Sequence, residues 1–194
     1  MAPEEKKLSW KKNTMLYIHD LVYLLVGIMI VFLLVFRVIV VSGSSMYSTL
    51  VDGDYLLLLS NVFYHEPEQG DIVVISKESF DNGKPIVKRV IATEGQTVDI
   101  DFEQGIVYVD GVALQEDYIN SPTTVEEGMA FPLVVQDGCI FVLGDNRAVS
   151  LDSRNPDVGL IDNREVLGKA FLLMYPGTHY GQVPQDFDRL GVIE

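Results

Sequence analysis

Hydrophobic residues form one long run near the N-terminus of the chain and several short runs after it. The long run, residues 21–41, is apolar except for Gly27 and Arg37. A helix of these 21 residues would be about 31 Å long, which matches the ~30 Å hydrocarbon core of a bilayer. Because the run lacks the polar face of a helix packed on a soluble core, it predicts a transmembrane helix.

Charges on either side of this run indicate its orientation. Four lysines precede it: Lys6, Lys7, Lys11 and Lys12. Positively charged flanks remain on the cytoplasmic side of a membrane. We therefore predict a cytoplasmic basic tail in residues 1–20, a transmembrane anchor in residues 21–41 and an extracytoplasmic domain in residues 42–194. A cleavable secretion signal has the same order of segments, but its apolar part is usually about 7–15 residues long, so a permanent anchor is favoured.

The shorter runs predict β-strands divided by Gly, Pro, Asp and Asn. They are residues 55–59, 71–75, 86–92, 106–109, 139–143 and 166–174. Asp110-Gly111 joins two apolar segments and favours the type I′ turn of a hairpin. Residues 118–131 predict a long loop, and no helical period of useful length follows residue 42. The domain is therefore predicted to be mainly β.

Composition narrows the possible functions. The chain has 194 residues and a formal net charge of −14, and residues 42–194 alone carry nine Lys and Arg against 25 Asp and Glu. A basic surface for DNA or RNA is therefore not expected, and the acidity is typical of a soluble exported domain. The single cysteine, Cys139, excludes an intrachain disulfide. It lies in an apolar run, which predicts a small buried hydrophobe rather than a nucleophile.

A serine-rich turn directly after the long apolar run is the first candidate for chemistry. In Ser42-Gly43-Ser44-Ser45, small residues can expose a hydroxyl and leave backbone N–H groups free to bind an oxyanion. The same composition is typical of a flexible linker beside a membrane, and taken alone it favours that interpretation. A second feature of the sequence is needed to decide between the two.

Lys88 is that second feature. It lies inside an apolar run that predicts a strand, on the same face as Ile86 and Val90. If that face points inward, desolvation lowers the pKa of Lys88, and a neutral amine can take the proton of a serine hydroxyl. The alternative is an exposed lysine on an edge strand. Neighbouring Arg89 is expected to point outward or to form an ion pair.

Residues 144–154 form the densest group of polar side chains and follow the predicted strand 139–143. One interpretation is a solvated turn whose surface ion pairs contribute about 0–1 kcal/mol each. The other is a support for the lysine, in which Ser150 and Asp152 orient the amine and the arginines hold the loop together. The sequence alone leaves both interpretations open.

The histidines offer no better base. His19 lies on the cytoplasmic side of the predicted span, and His65 and His179 are isolated beside loop residues. A Ser-His-Asp triad stays open, but nothing in the sequence specifies one. The spacing of His65 with Glu66 and Glu68 does not match a known metal site, so no metal or other cofactor is predicted.

Four segments occur in the order typical of the type I signal peptidases that have one N-terminal anchor. They are Gly43-Ser44-Ser45-Met46 and residues 70–74, 87–91 and 144–154. The chain resembles this family from about residue 21 to residue 175. The resemblance implies an irregular, barrel-like β-sheet domain behind one transmembrane helix. It also implies a serine endopeptidase of the plasma membrane that removes signal peptides from exported preproteins, cutting after small residues in Ala-X-Ala-like sites.

The resemblance also implies roles for individual residues. By motif position, Ser45 is the nucleophile and Lys88 the general base, Ser150 positions the amine, and Asp152 is a supporting carboxylate. The implied structural polar residues of the same segment are Asp145, Arg147 and Arg154, and the implied oxyanion or substrate contacts are Gly43, Ser44 and Met46. The implied partners are preproteins and the lipid bilayer, without an obligate oligomer.

The chain departs from the family pattern at three places. Ser48 stands where proline is usual, which would loosen the turn after the nucleophile. Ala92-Thr93-Glu94-Gly95 replaces the usual Gly-Leu-Pro-Gly. Gly43 stands where some members have a hydroxyl that serves as a second oxyanion donor. None of these departures removes the serine or the lysine.

Two other functions stay open at this point. A self-cleaving Ser–Lys protease of the repressor type uses the same pair of residues, although it usually carries a DNA-binding domain and no anchor. An inactive, membrane-tethered chaperone or pilus-assembly factor of the same fold would be expected to lack the nucleophile or the base.

Overall fold

The structure is a computed structural model that describes residues 3–178, 181 and 184–193. The chain forms two compact units, Met1–Phe36 and Arg37–Glu194. The first unit is the helix α1, Pro3–Val35. Its segment Asn13–Val35 is 23 residues long with a mean hydropathy of 2.5 and is long and apolar enough to cross a membrane.

The limits of α1 add a conformation to one predicted segment and correct the end of another. Residues 3–20, predicted as a basic tail of unstated conformation, are helical, and the helix begins at a proline, whose fixed φ suits the first helical position. The predicted span extended to residue 41, but the helix ends at Val35 and Phe36–Val40 form a strand. Three consecutive β-branched residues, at positions 38–40, favour a strand, and hydrophobicity alone does not distinguish the two structures.

The second unit is built from twelve strands in the described residues. They are β1 (Phe36–Val40), β2 (Tyr55–Ser60), β3 (Ile72–Ile75), β4 (Ile86–Thr93), β5 (Thr97–Asp101), β6 (Ile106–Val109), β7 (Val112–Ala113), β8 (Leu133–Val134), β9 (Cys139–Leu143), β10 (Ile161–Asp162), β11 (Val166–Tyr175) and β12 (Gly191–Val192). The larger sheet has the order β1-β2-β11-β3-β4-β9-β10, with β12 paired to β11. The smaller sheet has the order β7-β6-β5-β8.

All six strand predictions are confirmed, as is the mainly β fold. The hairpin is also confirmed, because Val109 pairs with Val112 and both turn residues, Asp110 and Gly111, have positive φ angles of 52° and 78°. Residues 118–131 contain neither helix nor strand, as predicted. Strand β5 and the two-residue strands β8, β10 and β12 were not predicted, because their short or mixed segments carry little periodic signal.

The core anchors two elements, the segment that carries Ser45 and strand β4, which carries Lys88. Met46 and Leu50 are each only 1% exposed and pack with Leu58, Val74 and Leu173 in one buried cluster. Strand β4 lies between β3 and β9 in the larger sheet. The segment that carries Ser45 is therefore anchored on the same core as the sheet that carries Lys88.

Candidate active site

Ser45 lies in a series of tight turns that we call the 42–50 loop (residues 42–50). Gly43 begins the loop with a φ of +95°, a conformation that favours glycine, and its N–H donates to Oδ1 of Asp52 at 2.8 Å. At the other end, the Leu50 N–H donates to the carbonyl of Met46 at 2.8 Å. These bonds fix the loop, and Ser45 is partly exposed on the wall of a cleft of about 560 Å³.

Strand β4 places Lys88 beside this serine. Nζ of Lys88 lies 2.8 Å from Oγ of Ser45, and the lysine is only 3% exposed. Burial lowers the pKa of Lys88 from 10.5 to about 8, while the negative charges of Asp152, Asp145 and Glu127 oppose that change. A fraction of the amine is therefore neutral near pH 7 and can accept the serine proton at this distance.

Arg89, the next residue along β4, is also buried, at 2% exposure. Its Nε and Nη2 donate to the two carboxylate oxygens of Asp145 at 3.0 and 2.8 Å, and its Nη1 donates to the carbonyl of Gly70 at 2.9 Å. The guanidinium carbon also lies 4.0 Å from the centre of the Tyr118 ring. The outward orientation is therefore wrong, and the alternative of an ion pair is confirmed, because Asp145 and Tyr118 cover this face of β4.

The 144–154 loop (residues 144–154) is a buried network rather than a solvated turn. Its four charged residues are each 0% exposed: Asp145, Arg147, Asp152 and Arg154. Arg147 forms a forked ion pair with Glu116 at 3.0 and 2.5 Å and also donates to Thr123 Oγ1 at 2.6 Å. A long-range partner thus neutralises this cation and ties the 144–154 loop to the segment before the 118–131 loop.

Asp152 and Arg154 form the innermost pair of this network. Arg154 donates from Nε to Oδ1 and from Nη2 to Oδ2 of Asp152, each at 2.9 Å, and Nη2 lies 3.3 Å from Oε1 of Glu127. Asp152 also accepts from the Gly144 N–H at 3.0 Å. The carboxylate is therefore held in place by Arg154 and acts on Lys88 through its charge.

Ser150 is buried at 2% exposure, but its hydroxyl has no hydrogen-bond partner in the described part of the chain. It packs against Gly144, where a Cβ atom would lie 2.1 Å from the Ser150 oxygen. No bond from Ser150 to Lys88 is present, so its implied role in positioning the amine stays a prediction. Glycine at position 144 is required by this close approach.

The remaining predicted contacts lie on the cleft wall beside Ser45. Gly43, Ser44 and Met46 all line the cleft, although the side chain of Met46 points into the core. Within residues 3–178, 181 and 184–193, the N–H of Ser45 has no hydrogen-bond acceptor, whereas that of Gly43 is bonded to Asp52. Ser45 therefore offers a free donor for an oxyanion.

Two residues that hold the 42–50 loop were not singled out by the sequence analysis. Asn146 donates from its backbone N–H to the Ser45 carbonyl at 2.9 Å and from Nδ2 to the Ser44 carbonyl at 3.0 Å. Thr49 donates from its hydroxyl to Oδ2 of Asp145 at 2.6 Å. These bonds join positions about a hundred residues apart, so no local pattern could have predicted them. His65 is exposed, and His179 lies outside the described residues.

Similarity to known proteins identifies the family. A sequence model described as "Signal peptidase, peptidase S26" matches residues 14–175. The chain belongs to this family. It is therefore a serine peptidase, a hydrolase that removes signal peptides from secreted preproteins. Residues 176–194 lie beyond the matched segment.

Individual relatives agree with the family. The chain is 37% identical over 151 residues to probable signal peptidase I-1 of Synechocystis sp., covering 74% of this chain and 73% of the relative. It is 31% identical over 181 residues to signal peptidase I of Bacillus licheniformis, covering 89% and 95%. A solved structure of signal peptidase I from Enterococcus faecalis is 32% identical with a TM-score of 0.44, covering 54% of this chain and 96% of the other.

Proposed function

We propose that this signal peptidase is a membrane-bound endopeptidase that cleaves through a Ser45–Lys88 dyad after small residues of exported preproteins. The observation that carries the proposal is the 2.8 Å separation of Lys88 Nζ and Ser45 Oγ in a buried setting. Hydrogen-bond contact between nucleophile and base is the geometry that general-base activation of a hydroxyl requires.

Acylation begins when the neutral Lys88 amine takes the proton of the Ser45 hydroxyl. Oγ then attacks the carbonyl carbon of the scissile bond, and the C=O pair of electrons moves onto oxygen to give a tetrahedral oxyanion. The free N–H of Ser45 is the candidate donor to that oxyanion. The ammonium of Lys88 returns its proton to the leaving amine as the C–N bond breaks, which leaves the signal peptide esterified to Ser45.

Deacylation repeats the proton transfers with water as the nucleophile. Lys88 is neutral again after the leaving amine has been protonated, so it can remove a proton from water. The hydroxide formed adds to the ester carbonyl, and collapse of the second tetrahedral intermediate breaks the C–Oγ bond. The proton passes from Lys88 back to Ser45, so that the dyad ends the cycle in its starting state.

The lining of the cleft indicates which substrate side chains it can bind beside Ser45. Apolar side chains dominate its lining, including Val41, Ile86, Val87 and Leu151. Such walls favour apolar side chains in the substrate, and the preference for small ones comes from the family resemblance. The dyad comes from a single chain, which favours a monomer as sufficient for activity.

Membrane attachment is the second part of the proposal. The apolar segment Asn13–Val35 is the candidate anchor in the plasma membrane, and the lysines before it favour a cytoplasmic N-terminus. Ser45 follows the end of α1 by ten residues, so attachment would keep the nucleophile near substrates whose own signal segments are embedded in the bilayer. Anchor and substrate would then share the lipid surface, which raises their effective concentration.

The test uses the full chain in detergent with a purified preprotein and identifies the cleavage site by mass spectrometry. Ser45→Ala and Lys88→Met are each expected to lower kcat by roughly 10³-fold or more. Ser48→Ala is the matched control, since Ser48 is exposed in the same loop, and it should cleave at the wild-type rate. Wild-type cleavage by Ser45→Ala or Lys88→Met would rule out the dyad.

The same variants separate the two competing functions. A self-cleaving protease would truncate its own chain and leave a separate preprotein intact. A chaperone or assembly factor would keep its biological function in a strain that carries Ser45→Ala. Cleavage of the added preprotein, abolished in Ser45→Ala, would exclude both.

A further inference from the structure

Arg189 reaches the 42–50 loop from the far end of the chain. It lies in the C-terminal segment (residues 184–193), beyond the part of the chain that matches the family. Its Nη2 donates to the carbonyl oxygen of Thr49 at 3.0 Å and to Oδ2 of Asp54 at 2.6 Å, and its Nη1 donates to Oδ1 of Asp54 at 3.1 Å. One guanidinium group thus joins the end of the loop to the carboxylate that follows it.

Asp54 makes this contact strong, because its carboxylate is completely buried. Two backbone groups, the N–H of Val51 at 2.7 Å and the N–H of Gly177 at 2.6 Å, donate to the same carboxylate. Arg189 is the one cationic side chain bound to Asp54 among the described residues. A buried carboxylate deprived of its cation is strongly destabilising, so the pair resists separation.

The segment that carries Arg189 is itself fixed. Arg189 ends a short 3₁₀ turn, and the following strand β12 pairs with Leu172 and Leu173 of β11. Ile193 then packs against the core cluster that contains Met46 and Leu50. Arg189 therefore holds the 42–50 loop from a position determined by the sheet.

Thr49 is held on two sides as a result. Its hydroxyl donates to Asp145 and its carbonyl accepts from Arg189. Ser45 lies at the other end of the same turn, where its own carbonyl accepts from the N–H of Asn146. With both ends of the turn fixed, the position of the Ser45 hydroxyl is determined by the anchors on either side of it.

We propose that Arg189 is a positioning residue: by holding the Thr49 carbonyl and the Asp54 carboxylate, it keeps Ser45 within reach of Lys88. The inference rests on the proposed dyad. Because Arg189 touches neither the cleft nor the dyad, its loss should lower kcat and leave KM nearly unchanged. A displacement of about 1 Å at a reacting group can lower a rate by roughly a hundredfold.

The experiment compares three variants of the full chain in detergent, each assayed for preprotein cleavage and for thermal unfolding. Arg189→Ala is the test. Lys169→Ala is the matched control, because Lys169 is a cation that is one-third exposed and is paired at 2.5 Å with a mostly buried carboxylate, Asp71. Among the described residues, neither of the two forms a hydrogen bond or ion pair with the 42–50 loop. Arg189→Lys retains the charge beside Asp54 but lacks the forked guanidinium that also reaches Thr49.

Both alanine variants are expected to lower the unfolding midpoint, but only Arg189→Ala should lower kcat, by roughly ten- to a hundredfold, with KM within about twofold of wild type. Arg189→Lys should unfold close to wild type and recover only part of kcat. Equal kcat values in Arg189→Ala and Lys169→Ala would overturn the inference. If Arg189→Ala does not fold, a wild-type kcat in Arg189→Lys would overturn it and a reduced kcat would support it.

Ser45→Ala in the same assay separates this inference from the proposed function. Cleavage by Ser45→Ala would reject the dyad itself. An inactive Ser45→Ala, together with equal kcat values in the two alanine variants, would reject only the role of Arg189.

Discussion

Lys88 and the 144–154 loop both bury cationic side chains, but these cations have different kinds of partner. Arg147 and Arg154 of the loop each contact a carboxylate. Lys88 is equally inaccessible but contacts the Ser45 hydroxyl, and no carboxylate of the described residues lies within ion-pair distance of it. A buried cation without a contacting counter-ion loses its proton more easily than a paired one.

The contrast is sharpest between adjacent residues of β4. Arg89 is paired with Asp145, whereas Lys88, one position earlier, has a lowered pKa of about 8. The carboxylates of the network act on Lys88 only through space and limit how far its pKa falls. One region keeps its charges paired, whereas burial lowers the pKa of the cation in the other.

The largest expected effect comes from breaking a pair in the network. Asp145→Ala leaves the Arg89 guanidinium buried without its counter-ion, and we expect it to lower the free energy of unfolding by about 3–5 kcal/mol. Denaturant unfolding of the full chain in detergent measures the change. Arg164→Ala is the control, because Arg164 is 89% exposed and its pair with Asp162 is open to solvent.

A double substitution sharpens this result. Arg89→Met with Asp145→Leu removes both charges, so it should be less destabilising than Asp145→Ala alone. Equal losses in the two variants would mean that packing around Asp145, rather than the unpaired charge, is responsible. An unfolding midpoint in Asp145→Ala as high as that of Arg164→Ala would contradict the importance of the pair.

The next effect is the pH dependence that the lowered pKa of Lys88 imposes. With a pKa of about 8, the active neutral amine increases as pH rises, so kcat/KM should rise roughly tenfold from pH 7 to a plateau above pH 9. A pH–rate profile of preprotein cleavage measures the midpoint. A midpoint near 10.5, the ordinary value for lysine, would mean that burial does not perturb the amine.

The free energy of unfolding should also depend on pH through Lys88. Below pH 8 the folded and unfolded states both hold the Lys88 proton. The full cost of burying the charged amine then lowers the free energy of unfolding. Between pH 8 and 10.5 only the unfolded state holds it, so stability rises with pH, by up to about 3 kcal/mol relative to Lys88→Met. A constant difference between wild type and Lys88→Met across this range would contradict the linkage.

The sequence was sufficient for features encoded locally or by family motif. The apolar runs of β4 and β9 predicted their strands, and Asp110-Gly111 predicted the hairpin turn. The family motifs identified Ser45 and Lys88 as the pair that the fold brings to 2.8 Å. Each of these depends on neighbouring residues or on a motif order that the sequence displays directly.

The ion-pair partners that lie far apart in the sequence could not be predicted from it, for a physical reason. Arg89 and Asp145 are 56 positions apart, and Arg189 and Asp54 are 135 apart. Which acidic residue neutralises which arginine depends on how the sheets pack, and 28 acidic residues were available as partners. The boundary between α1 and β1 was also missed, because an apolar run is compatible with both structures.

The smallest expected effect tests whether the charge of Glu127 changes the pKa of Lys88 without direct contact. Glu127 is a mostly buried carboxylate, and its negative charge raises the pKa of Lys88 against the larger effect of burial. Glu127→Gln should therefore move the midpoint of the pH–rate profile to lower pH by roughly a few tenths of a pH unit. Activity at pH 7 should then increase slightly, because more of the amine is neutral.

Glu126→Gln is the matched control, since Glu126 is the adjacent, exposed carboxylate and is not one of the three carboxylates with the largest effect on the pKa of Lys88. Burial raises the pKa of Glu127, so the difference between wild type and Glu127→Gln should shrink at acidic pH as the wild-type carboxyl is protonated. A midpoint that moves to higher pH, or an equal change in Glu126→Gln, would show that Glu127 does not act on Lys88 through its charge. Burial and the charges of Asp152 and Asp145 would then account for the pKa of Lys88.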